Sequence, residues 1–106
     1  MFVNVSKDER ITLEERENFR AFKLTIDAGT DRIEAMRLTL SGIAELVDEK
    51  TAWISEGALR NWAGVAQDAA WQQSLSAMIE KARPHGWIDD RRKAIRAHIE
   101  WREPAA

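Results

Sequence analysis

Two stretches of the chain space their apolar side chains three and four residues apart, and no other feature limits the accessible folds as strongly. Ile33, Met36, Leu40, Ile43 and Val47 form one series; Trp71, Leu75, Met78 and Ala82 form the other. At 3.6 residues per turn such spacing puts the apolar groups on one helical face, which must then be buried against a neighbour. Thr30 stands where a cap for the first helix belongs, with Asp31 and Glu34 beside its positive end. Gly42 inside that helix costs about 1 kcal/mol relative to alanine. Asp68 caps the second helix, Gln72, Gln73, Ser76, Glu80 and Lys81 take its wet side, and Pro84 and Gly86 end it.

The remaining segments are read by the same rules. Thr12 and Glu15 have the spacing of a capping box, so a helix is expected over 12–28, closed by Gly29. Phe19, Phe22 and Ile26 keep helical spacing, although Phe22, Leu24 and Ile26 also alternate as in a strand. Thr51 to Ile54 is a short extended piece, and Ser55 caps a helix running to about Ala63 with Leu59 and Trp62 inward. Ile95, Ala97, Ile99 and Trp101 alternate with Arg96, His98, Glu100 and Arg102, which predicts a half-buried strand over 94–102, with a helix as the alternative. Pro104 to Ala106 should be frayed. The expected fold is mainly α, of α+β type. It is one domain over 1–106, with an N-terminal arm over 1–11 and a helical core over 30–103 that ends in a small C-terminal β element.

From Thr30 onward the order is helix, extended piece, helix, turn, helix, extended piece, polar turn, strand. This order resembles a winged helix-turn-helix. The resemblance covers about seventy residues and lies in element order alone. It implies that the helix from Asp68 to Arg83 is a recognition helix presenting Gln72 and Gln73 to bases, and that Arg91, Arg92 and Lys93 tip a wing, with Arg96 joining them on phosphates. Before Lys81, however, that helix carries no lysine or arginine.

Composition narrows the chemistry. The chain has no cysteine, which removes disulfides, thiolate nucleophiles and cysteine-ligated metals. At 44% hydrophobic and 32% charged residues it lies outside the regime of disorder. The longest apolar run, Trp62 to Ala66, is too short to cross a bilayer, and Met1 to Arg10 lacks the pattern of a secretory signal, so a cytoplasmic location is expected. Net charge is −2, yet residues 83–106 hold six basic and four acidic groups while 29–56 hold three and six. So near-neutral a balance argues against a strongly basic polyanion binder.

Candidate sites are few. Trp53, Trp62, Trp71, Trp87 and Trp101, joined by His98, could line an aromatic pocket; each also sits on an apolar face where it would simply fill the core. His85, Asp89 and His98 can be drawn as a metal site, but their spacing matches no recurrent ligand pattern, and no metal, cofactor or catalytic residue is assigned. Glu14, Glu15, Glu17, Asp48 and Glu49 lie in charged runs typical of a solvated face. The expectation is a small non-enzymatic module that docks a protein partner or a second copy of itself. The alternatives are a nucleic-acid-binding winged-helix-like domain, and a small-molecule-binding protein or enzyme with a tryptophan-lined pocket.

Overall fold

The computed structural model describes residues 1–102, and the expected fraying of Pro104 to Ala106 lies outside them. Its centre is a curled, mixed, seven-stranded sheet. The strands are β1 (Phe2–Val5), β2 (Ile11–Glu14), β3 (Lys23–Ile26), β4 (Ala44–Leu46), β5 (Thr51–Ser55), β6 (Ile88–Asp89) and β7 (Ala94–Trp101). Three helices accompany them: α1 (Ile33–Thr39), α2 (Glu56–Arg60) and α3 (Ala69–Ala82). The strand order is β2-β1-β3-β7-β5-β4, with β6 also on β7. The β1–β3 and β3–β7 pairs are parallel; β1–β2, β4–β5, β5–β7 and β6–β7 are antiparallel.

The expected mainly helical, winged-helix-like fold is therefore overturned, and each departure has a local cause. Residues 1–11 are no arm: Val3 and Val5 of β1 are fully buried between β2 and β3. The helix expected over 12–28 is replaced by β2, a loop and β3. Leu24, Thr25 and Ile26 are all fully buried, and such a strand loses the alternation that marks a half-exposed one. The Thr12–Glu15 capping box does not form. The buried hydroxyl of Thr12 has no hydrogen-bond partner among the described residues, and Glu15 has a positive φ of 45° that ends β2.

The helix expected from Thr30 to Val47 stops at Thr39. Gly42 adopts φ +86°, and Ile43 to Thr51 turn back as the β4–β5 hairpin, leaving Val47 half exposed. The misreading has a simple source. Residues four apart share a face in a helix and in a strand alike, so Ile43 and Val47 satisfy both periods.

Where the signals were local, the helices start as expected, although α2 ends at Arg60 and not near Ala63, and Trp62 beyond it is only half buried. The Ser55 hydroxyl accepts from the Ala58 amide at 3.1 Å at the start of α2, and the Asp68 carboxylate accepts from the Trp71 amide at 3.1 Å at the start of α3. α3 buries Trp71, Leu75, Ile79 and Ala82 against the sheet, while Met78, which was expected in the buried stripe, is only half buried. Each fully buried aliphatic side chain there contributes about 1.5–3 kcal/mol. The strand expected over 94–102 exists as β7, but it is the central strand of the sheet and not a peripheral wing. Among the described residues, no helix is long and apolar enough to cross a membrane.

Candidate anion-binding groove

One edge of β7 is shared by two strands. β6 covers its start, pairing Asp89 with Ala94 and Ile88 with Ile95; β3 covers its end, from the Lys23–His98 pair onward. Ala97 falls in the gap between them. The opposite edge is continuous, since β5 pairs with β7 from Ala94 to His98. At this split lies a cleft of about 950 Å³, bounded by β7, the β2–β3 loop, the start of β5 and the end of α3 with the turn that follows.

The turn after α3 is built for display. Arg83–His85 form a short 3-10 turn, and Gly86 takes φ +78°, a left-handed conformation that lets the chain reverse at once. The backbone of Trp87 is held on both sides, its amide donating to the Ala82 carbonyl at 3.4 Å and its carbonyl accepting from the Arg96 amide at 2.8 Å. The rings of His85 and Trp87 stack with centroids 4.4 Å apart and planes 19° apart. Trp87 nevertheless remains 45% exposed, the only one of the five tryptophans left so open to water.

The opposite wall, the β2–β3 loop, is pinned onto α3. Phe19 packs on Trp71 at 5.8 Å between ring centroids, and the Trp71 indole N–H donates to the Arg16 carbonyl at 2.7 Å. The amino group of Met1 donates to the carbonyls of Asn18 and Ala21 at 2.7 and 3.0 Å. Arg20, Ala21 and Phe22 are thus presented to the cleft by a loop with several anchors.

The charge of the lining is one-sided. Arg20, Lys50, Lys81 and Arg96 contribute four permanent cations, His85 and His98 add two imidazoles, and among the described residues no aspartate or glutamate lines the cleft. This occurs in a chain whose net charge is −2. Elsewhere Arg10, Lys23, Arg32, Arg37, Arg60, Arg83 and Arg92 pair with carboxylates; among the described residues none of the four cleft cations does, and neither do Lys7, Arg16, Arg91, Lys93 or Arg102, which lie outside the cleft. Glu100, which follows His98 by two residues on β7, is taken up by the Lys23 ammonium at 2.8 Å. That hydrogen bond, with the Lys23 charge behind it, holds the Glu100 carboxyl below the ordinary carboxylate value. Phe19, Phe22, Met78, Trp87 and Ile95 supply the apolar part of the surface.

Of the residues singled out in the sequence, the structure brings Trp87, Arg96 and His98 together in this cleft. Gln72 is spent internally: its amide donates to the carbonyls of Arg60 and Val65 at 2.9 and 3.0 Å, and its oxygen accepts from Arg60. Gln73 is exposed on α3. Arg91, Arg92 and Lys93 form the β6–β7 turn, where Asp89 accepts from the amides of Arg91 and Arg92, contacts that lower its carboxyl pKa. Arg92 is further committed to Glu45 and Asp89 and lies over the Trp53 ring at 5.9 Å.

The tryptophans do not gather. Trp71 is buried in the core, Trp62 packs half-buried at its margin, Trp53 lies under Arg92, and the Trp101 indole donates to the Glu49 carbonyl at 2.7 Å. His85 and His98 both line the cleft, but Asp89 is held in its own turn, and no group of three potential metal ligands assembles among the described residues. Sequence reasoning missed Arg20, Lys50 and Lys81, along with Phe19, Phe22 and Met78 as lining groups. They come from segments far apart in the chain, and only the closed sheet brings them to one place. Comparison with protein-family models, with curated proteins and with solved structures finds no match to this chain.

Proposed function

We propose that the protein is a small, non-enzymatic docking module whose cleft binds an anionic partner, in a cytoplasmic setting. The observation that carries this reading is the collection, among the described residues, of four cations without ion pairs and no carboxylate in one cleft of a chain with net charge −2. Cations that are not neutralised from within leave a local positive potential. Water and salt screen the chain's excess of carboxylates elsewhere over a Debye length of about 8–10 Å, so the cleft attracts anions despite the overall charge. The lining favours holding over transforming: cations and apolar rings retain an anion, and among the described residues neither histidine has a lining carboxylate to fix its tautomer for proton transfer.

The test is fluorescence anisotropy at low salt with a short labelled polyglutamate peptide and a short labelled oligouridylate. The native chain should bind at least one of them, more weakly as salt rises. The triple variant Arg20→Glu, Lys81→Glu, Arg96→Glu should lose binding by at least about ten-fold, because the substituted side chains are solvent-exposed and their charge acts on the ligand alone. The control Arg91→Glu, Lys93→Glu, outside the cleft, should stay within about two-fold. Absence of binding to both probes, or equal loss in the two variants, would remove the proposal.

A further inference from the structure

We infer that the anion is a single strand of nucleic acid, with one base stacked on Trp87 and its phosphates on the cleft cations. The inference rests on the anion-binding reading and adds the chemical class of the ligand.

Charge alone would be served as well by an acidic peptide. The cleft holds more than charge. His85 covers part of the Trp87 indole and fixes its plane, while Trp87 itself stays 45% exposed and lines the cleft. A large aromatic surface held rigid and left wet is a poor use of an indole unless something flat covers it. Phe22 lies among the lining residues on the β2–β3 loop, so aromatic groups come from two separate segments of the wall. Aromatic platforms bordered by arginine and lysine suit unpaired nucleotides, since every base has a π face and each link carries a phosphate. Glutamate side chains offer nothing to stack.

Single strand is favoured over duplex by shape. The cations face a cleft at the split of a sheet, not a protruding helix, and Gln72 of the most exposed helix is already occupied internally. A paired base has its faces covered by its neighbours, so Trp87 could reach it only after unstacking. The volume of about 950 Å³ lies near the top of the roughly 300–1,000 Å³ usual for ligand clefts, enough for more than one nucleotide.

Binding is measured by anisotropy and by quenching of tryptophan fluorescence, with oligouridylate, a duplex of the same length, uridine monophosphate and polyglutamate as the four ligands. Oligouridylate should bind tightest and should quench fluorescence. Trp87→Ala should weaken it about ten-fold, the loss of one stacked base, and Trp87→Phe should recover most of that loss. Neither substitution should change polyglutamate affinity. The slope of log affinity against log salt should approach −0.7 for each phosphate engaged, and Lys81→Gln should reduce its magnitude by about 0.7. Thermal melts of the variants establish that each is folded, as expected for side chains this open to solvent.

Equal affinity for polyglutamate or duplex, equal affinity for the mononucleotide, or indifference of oligouridylate binding to Trp87→Ala each overturns the nucleic-acid inference while leaving the anion-binding reading in place. If no anionic probe binds, both fall together.

Discussion

Lys23 and Glu100 meet across the β3–β7 pair at 2.8 Å, each between one-third and one-half exposed. The contact lowers the Glu100 carboxyl pKa, chiefly through the Lys23 hydrogen bond. A carboxylate depressed in the folded state contributes stability above its unfolded value, here 4.5, and loses that contribution as pH falls through the lower folded value. Lys23→Met should therefore be less stable than the native chain near neutral pH, and the difference should shrink in acid below 4.5. Urea titrations across that range read it directly, and added salt should diminish the neutral-pH difference because the pair is solvated. A pH-independent difference would mean that the lysine acts through packing of its methylenes. At this scale the sequence spoke unevenly. Arg96 and His98 were legible as outward residues of an alternating strand, and Trp87 as the residue just beyond a helix-ending glycine. Nothing about Arg20, Lys50 or Lys81 taken singly distinguishes them from other surface cations; what sets them apart is that they converge on one cleft, a property of three-dimensional placement.

Among the elements, Gly42 separates the expected helix from the observed hairpin by the sign of a single measurement. Within a continuous helix from Thr30 to Val47, alanine at this position would stabilise by about 1 kcal/mol. With φ +86°, alanine is forced into a left-handed conformation and should destabilise by about 1–2 kcal/mol, even though nothing lies within 4 Å of the added methyl group. Chemical denaturation of Gly42→Ala decides, and a gain in stability would reinstate the longer helix. Why α2 and α3 could be read while β3 and the α1–β4 boundary could not follows from where their determinants lie. Ser55 and Asp68 cap amides three residues away, so the decisive contact is contained in the local sequence. β3 is a strand because β1 and β7 flank it and bury Leu24, Thr25 and Ile26 on all sides, with the Thr25 hydroxyl donating to Asn4 at 2.6 Å. Those partners sit about twenty and seventy-five positions away. The local spacing of Phe19, Phe22 and Ile26 could not register them.

At the scale of the whole molecule, an open sheet must protect its margins, because unpaired backbone groups template the addition of foreign strands. On the β4 side α1 provides the protection. The Ala44 amide donates to the Leu40 carbonyl at 2.9 Å, and Arg37 donates to the carbonyls of Leu46 and Val47 at 3.1 and 3.4 Å. Arg37→Ala should uncover these carbonyls at a stability cost of about 1 kcal/mol and raise light scattering of concentrated samples on warming. Unchanged scattering would show that the three-residue length of β4 is protection enough. The position of β7 has a consequence of another kind. The strand that joins β1–β3 to β4–β5 comes after all of them in the chain. The facing edges of β3 and β5 have β7 as their shared partner, so neither half completes its hydrogen-bonded ladder before that strand is present. A chain interrupted before Ala94 would lack the one strand through which the two sides of the sheet are joined.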